Sequence, residues 1–108
     1  MQRTALVTGA TAGFGAAICR TLIENGYRVI GTGRRVTRLE QLQQELGENF
    51  HFLAFDISDR QATEDAFHSL PASWQSIDLL VNNAGLALGL ESADKANLDD
   101  WMQMIDTN

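Results

Sequence analysis

Four short apolar runs alternate with segments of helical period, and that alternation restricts the chain to very few architectures. Thr4, Ala5, Leu6, Val7 and Thr8 carry no charge, run into Gly9 and read as a buried strand. Over residues 14–25, Phe14, Ile18 and Leu22 recur four apart ahead of Asn25-Gly26, a helix stop. Residues 27–32 form a second strand around Val29 and Ile30. Val36, Leu39, Leu42 and Leu46 mark a second amphipathic helix, closed by Gly47. Residues 50–57 read as a third strand. Ser58-Asp59-Arg60-Gln61 has the form of a capping box opening a helix over Ala62, Ala66, Phe67 and Leu70, stopped before Pro71. The fourth strand covers residues 77–81 and runs into Asn82-Asn83-Ala84-Gly85. Residues 86–96 read as a loop. Asn97 can then cap a final helix with Leu98, Trp101, Met102 and Ile105 on one side.

Strands that are apolar along nearly their whole length are covered on both faces, which implies a parallel sheet between helices. The expected fold is therefore α/β, a Rossmann-type doubly wound parallel sheet. With 108 residues, 44% of them hydrophobic and 20% charged, the chain has material for one domain and is too apolar for disorder. The single cysteine, Cys19, excludes a disulfide framework or a thiolate zinc site and reads as packing in the first helix. No apolar run approaches the roughly 18 residues that a spanning helix needs. The first periodic segment begins at Thr4, leaving no space for a cleaved signal, so a soluble cytoplasmic protein is expected. The final helix meets no stop signal at Asp106-Thr107-Asn108, and the fourth strand would lie at an unprotected edge. Residues 1–108 are accordingly expected to be the N-terminal part of a longer single-domain enzyme.

Charge is unevenly distributed. Residues 1–46 hold six arginines against three acids, and residues 47–108 hold Arg60 and Lys95 against eleven acids. The whole carries −6, which disfavours nucleic acid as a partner, whereas the basic first half suits a small anionic ligand. Solvated helix faces would account for the same charges.

The glycine cluster Gly9-Ala10-Thr11-Ala12-Gly13-Phe14-Gly15 lies directly between the first strand and the first helix. Gly9 permits a sharp exit from the strand, and Gly13 and Gly15 remove side chains where backbone must approach a pyrophosphate or pack on the sheet. The following helix N-terminus offers unpaired N–H groups to phosphate. A P-loop is excluded, because the only lysine is Lys95, and no serine sits in a Gly-x-Ser-x-Gly elbow. The end of the second strand decides which dinucleotide fits. NAD sites place a carboxylate there, whereas this chain has Gly33-Arg34-Arg35, whose guanidinium forks suit a 2′-phosphate and select NADP. Two solvated arginines opening a helix are the structural alternative. Asp56 can accept from the adenine amino group or simply flank a helix near Ser58. Asn83, Ala84 and Gly85 can border the cofactor or form a polar turn. His51 and His68 read as an edge-strand and a surface-helix residue, and Trp74, Trp101, Met102 and Met104 as core or interface.

The Thr-Gly-x-x-x-Gly-x-Gly pattern at 8–15, Asp56 after the third strand and Asn-Asn-Ala-Gly at 82–85 resemble the short-chain dehydrogenase/reductase family over the whole chain. The segments Thr-Gly-Arg-Arg at 32–35 and Met-Ile-Asp-Thr-Asn at 104–108 further resemble its bacterial NADP-dependent 3-hydroxy acid dehydrogenases, which act on serine, allo-threonine or malonic semialdehyde. The resemblance implies a strand order 3-2-1-4 and a homotetramer. It also implies pyrophosphate and ribose contacts from Gly9 to Phe14, adenine contacts from Asp56 and Ile57, and a cofactor border at Asn83, Ala84 and Gly85. Asn108 would hold a water in the family's proton relay. The family's serine and Tyr-x-x-x-Lys are not in this sequence. The only tyrosine, Tyr27, is followed four residues later by Gly31, and an unassisted phenol of pKa about 10 is a poor base at neutral pH. The 108 residues are expected to bind cofactor without turnover. A non-catalytic NADP(H)-binding module and a short-chain reductase of other carbonyl or alcohol substrates are the alternatives.

Overall fold

Thr4–Thr8 forms the central strand, β1, and all five of its residues are buried. The computed structural model describes residues 2–11 and 14–83 and the backbone of 90–92. Helix α1 (Gly15–Glu24) leads to β2 (Arg28–Gly33), α2 (Val36–Leu46) to β3 (Phe50–Ala54), and α3 (Arg60–His68) back to β4 (Leu79–Asn82). The parallel order β3-β2-β1-β4 is the expected one, and a fifth strand, β5 (Leu90–Ser92), extends it. The chain runs outward from β1 through β3, then returns past β1 to place β4 on its other side. In open α/β sheets, ligands bind outside the carboxyl ends of the strands, near such a reversal of strand order.

Each strand sends alternate residues to opposite faces, and two cores result. Leu6, Ile30, Leu53 and Leu80 face Phe67 and Leu70, on the side of α3. Ala5, Val7, Val29, Phe50 and Val81 face Cys19 of α1 and Leu39 and Leu42 of α2. Burial on both faces explains why these strands carry no polar alternation. Arg20 of α1 and Glu45 of α2 form an ion pair across the outer surface of that layer. Gly47, at a φ of 80°, closes α2, a conformation that disfavours side chains with a Cβ.

Several expected boundaries move, each for a local reason. Phe14 is not on the apolar face of α1. It stands at the N-cap position and is 70% exposed, because the helix begins at Gly15 where the chain backs onto Gly9. The third strand ends at Ala54 rather than residue 57. Phe55 N–H still donates to the Gly33 carbonyl at 2.8 Å, and the chain then turns through Asp56 into α3. The cap of α3 is Asp59, which accepts from Ala62 N–H at 3.0 Å, and not Ser58. The fourth strand starts at Leu79, since Asp78 is tied to Thr4, accepting from Thr4 N–H at 2.9 Å. The segment expected to be a loop at 86–96 contains β5, which pairs antiparallel with β4 through Leu79↔Ser92 and Val81↔Leu90. β4 is therefore not the edge of the sheet. The expected final helix at 97–108, with Trp101, Met102 and Met104, lies outside the described residues.

At the amino ends of the strands, Trp74 joins two elements. The Arg28 guanidinium lies 4.3 Å from the centre of the indole, and the His51 ring is 5.4 Å away and tilted by 35°. Partial burial in β3 pushes the His51 pKa down. A depressed pKa means that the unfolded chain takes up the proton first, so stability present above the ordinary histidine value is lost as pH falls through it. Unfolding midpoints in urea should therefore drop between pH 7 and pH 5, and His51→Leu should flatten that dependence. An unchanged slope in the variant would mean that the loss arises elsewhere. His68, the last residue of α3, is exposed, and Cys19 is buried, its thiol pushed up to about 12 by that burial and so inert.

Candidate functional site

Three strand ends and the turns that leave them meet in one open cleft of about 300 Å³. Gly9 and Thr11 come from the end of β1, Gly33, Arg34 and Arg35 from the end of β2, and Asp56 and Ile57 from the turn after β3. Gly9 sits at a φ of 63°, which lets the chain turn out of the strand at once. The returning backbone is then pinned by Ala10 N–H donating to the Thr32 carbonyl at 2.8 Å. Ala10 itself is fully buried in the core with Val7, Cys19 and Val29 and does not line the cleft.

Gly15 is required by close approach. A Cβ there would lie 2.1 Å from the Gly9 carbonyl oxygen and 2.8 Å from the Ala10 carbonyl carbon. The first turn of α1 is thereby brought against the β1 exit, next to Gly9, which lines the cleft. Asn83 Nδ2 donates to the Gly9 carbonyl at 3.0 Å, and Thr8 Oγ1 donates to Asn82 Oδ1 at 2.8 Å. These bonds join the β4 end to the glycine turn, two motifs about 74 residues apart in the chain.

Arg34 and Arg35 are exposed and occupy the turn between β2 and α2, with Arg35 at the N-cap position. Among the described residues the metal-ligating side chains form no cluster of three or more. Asp56, which also lines the cleft, is held by one residue twice. Ser58 Oγ donates to Asp56 Oδ1 at 2.7 Å and Ser58 N–H donates to the same oxygen at 3.0 Å. The Ser58 hydroxyl, then its N–H, and more weakly the charge of Arg34, hold the Asp56 carboxyl below its ordinary value. The cleft is thus lined by Gly9 and Gly33, by two guanidinium groups and by an ionised carboxylate. Such a surface suits a ligand with several phosphates and a hydrogen-bonding base.

The structure brings together Gly9, Thr11, Arg34, Arg35, Asp56 and Ile57, and places Asn83 against Gly9. Phe14 and Gly15 stand at the entry to α1. Ala12, Gly13, Ala84, Gly85 and Asn108 lie outside the described residues. Thr32 and Phe55 also line the cleft, and neither was singled out as a ligand residue, because Thr32 reads as the last residue of the second strand and Phe55 as interior to the third. Their signal is positional: each closes or follows a strand at the same end of the sheet.

The short chain dehydrogenase family profile matches residues 3–108. A probable NADP-dependent dehydrogenase of Haemophilus influenzae is 70% identical over 105 residues, 97% of this chain and 42% of that protein. The NADP-dependent 3-hydroxy acid dehydrogenase of Escherichia coli K12 is 57% identical over 95% of this chain and 42% of its own length. A serine 3-dehydrogenase of Agrobacterium fabrum is 56% identical over the whole chain and 43% of its own. The chain thus spans well under half the length of these relatives. Among solved structures, serine dehydrogenase from Escherichia coli superposes with a TM-score of 0.74 at 55% identity, over 95% of this chain and 48% of that one. A closed serine dehydrogenase complexed with NADP+ gives 0.74 at 56% identity, over 96% and 42%. With the parallel order, the glycine turn and the Asn-Asn end of β4 all in place, the chain belongs to the short-chain dehydrogenase family.

Proposed function

We propose that this chain is the NADP(H)-binding portion of an oxidoreductase that transfers a hydride between the dinucleotide and a short 3-hydroxy acid, such as serine, allo-threonine or 3-hydroxypropionate. The observation that carries the cofactor choice is the pair Arg34 and Arg35 lining the cleft where NAD sites place a carboxylate. The glycine turn fits the group as well, since Gly9, at a φ of 63°, turns the chain out of β1 and lines the cleft without a side chain. Gly9 to Gly15 would hold the pyrophosphate and Arg34 with Arg35 the 2′-phosphate. Asp56 and Ile57 would meet the adenine, with Asn83, Ala84 and Gly85 along the border. When bound, the nicotinamide supplies C4 as the hydride donor or acceptor. The names of the 3-hydroxy acid and serine dehydrogenases above support the substrate class.

In this reading residues 1–108 are the N-terminal part of a longer single-domain, cytoplasmic, homotetrameric enzyme, and Asn108 holds a water for its proton relay. Small molecules are its partners, with neither nucleic acid nor membrane engaged. Among the described residues no helix is long and apolar enough to cross a membrane. The 108 residues bind without turnover, because they lack Tyr-x-x-x-Lys. Tyr27 favours a second reading, a non-catalytic NADP(H)-binding module. It precedes β2 at the end of the sheet opposite the cleft, too remote to serve as a base there.

Replacing Arg34 and Arg35 together by alanine tests the cofactor assignment by calorimetric titration. Each guanidinium-to-phosphate bond contributes about 1.5–3 kcal/mol, so NADPH should weaken by about 100-fold or more while NADH changes by about threefold. Equal losses for the two nucleotides would remove NADP from the assignment.

A further inference from the structure

Asp56 is an exposed carboxylate that lines the same cleft as two exposed guanidinium groups, and the charge of Arg34 reaches it. Simple electrostatics would draw it onto Arg34, where it would act as an internal anion and compete with any ligand phosphate. The ion pairs among the described residues are Arg20–Glu45 and Arg60–Glu64, and neither involves Asp56 or Arg34. What occupies Asp56 instead is Ser58, which places both its hydroxyl and its backbone N–H on Oδ1. The hydroxyl is available for this because Asp59, its neighbour, caps α3 in its place. The turn is closed further by Asp59 N–H donating to the Asp56 carbonyl at 2.9 Å.

From this arrangement, and resting on the cofactor reading above, we infer that Ser58 is a specificity-positioning residue: it holds the Asp56 carboxylate away from Arg34 and so keeps the arginine open to the 2′-phosphate of NADP(H). Ser58 itself needs no contact with the dinucleotide. Its effect passes through the geometry of another side chain, and it should appear in the discrimination between NADPH and NADH, since only NADPH competes with Asp56 for Arg34.

Two measurements on the full chain decide it. In the absence of nucleotide, the Asp56 carboxyl resonance is titrated by NMR with and without Arg34→Ala. With Ser58 present the arginine should matter little. In a Ser58→Ala background the same replacement should move the Asp56 midpoint upward by about half a pH unit more, the signature of a new exposed ion pair. The second measurement is the ratio of NADH to NADPH dissociation constants. Ser58→Ala should lower that ratio by about fivefold, the upper range for one exposed pair. Ser58→Thr should restore it, and so should Asp56→Asn added to Ser58→Ala. The asparagine variant loses any adenine contact for both nucleotides alike, so the ratio isolates the phosphate.

Equal Arg34 dependence of Asp56 with and without Ser58 overturns the inference. A Ser58→Ala/Asp56→Asn protein that discriminates no better than Ser58→Ala alone overturns it too. If the unaltered chain itself shows no preference for NADPH, the cofactor reading fails, and the nucleotide-free titration still decides whether Ser58 restrains Asp56.

Discussion

Alanine at Gly15 should destabilise the chain by about 3 kcal/mol, the upper range for forcing one carbon into a filled space. The added Cβ would meet backbone on every near side: the Gly9 carbonyl oxygen at 2.1 Å and the Ala10 carbonyl carbon and Cα at 2.8 and 2.9 Å. A flexible side chain could swing aside, but here α1 must back away from the β1 exit or the glycine turn must open. Either movement changes the spacing between the N-terminus of α1 and the cleft. In protein that still folds, NADPH affinity should fall by about 100-fold, equivalent to about 2.7 kcal/mol. Urea unfolding and nucleotide titration measure the two losses separately. A variant within about 0.5 kcal/mol of the parent would mean that the close packing of α1 on Gly9 is not a constraint in solution.

The second large effect lies on the other face of the sheet. Phe67 is fully buried, anchors α3 against Leu6, Ile30 and Leu80, and meets Phe55 edge-on at 5.9 Å and 75°. Phe67→Ala should cost about 3–5 kcal/mol, a large share of the roughly 5–15 kcal/mol available to a domain of this kind. Phe67→Leu, which keeps most of the volume, should cost about 1.5 kcal/mol. Because Phe55 also lines the cleft, the alanine variant should weaken nucleotide binding even at urea concentrations where it remains folded. A loss below about 1 kcal/mol for the alanine variant would show that α3 contributes little to the core.

The element types were legible because the four parallel strands send apolar residues into both cores and each helix packs one side, so apolar spacing separates them. Leu39, Leu42 and Leu46 mark the buried side of α2 as directly as a contact does. What failed to show were features set by backbone and by partners. Phe14 continues the i, i+4 series of α1 and is nevertheless outside the helix, since the first helical residue is fixed by what Gly9 and Ala10 allow. Ser58 and Asp59 are equally good caps in sequence, and only the position of Asp56 decides between them. β5 is three residues long, too short for any period, and depends on the open edge of β4. In the site, Gly9, Arg34, Arg35 and Asp56 were readable because each follows a strand in a parallel sheet. Thr32 was not, since its part in pinning the turn is a carbonyl that every residue possesses.

The bonds that tie β4 to the glycine turn also set a timetable for the chain as it is made. β1 finds its first neighbour, β2, after a single helix, with Thr4 opposite Arg28. Its second neighbour arrives much later, with Thr8 opposite Asn82. At about 5–20 residues per second, the interval between synthesis of Thr8 and Asn82 lasts about 4–15 seconds. Through that interval the central strand of the finished sheet is an edge, apolar and unpaired on one side, the kind of surface on which nascent chains associate wrongly. The glycine turn is incomplete for as long, because Asn83 has not yet reached the Gly9 carbonyl. The risk of wrong association in the biogenesis of this chain is therefore concentrated before β4 docks.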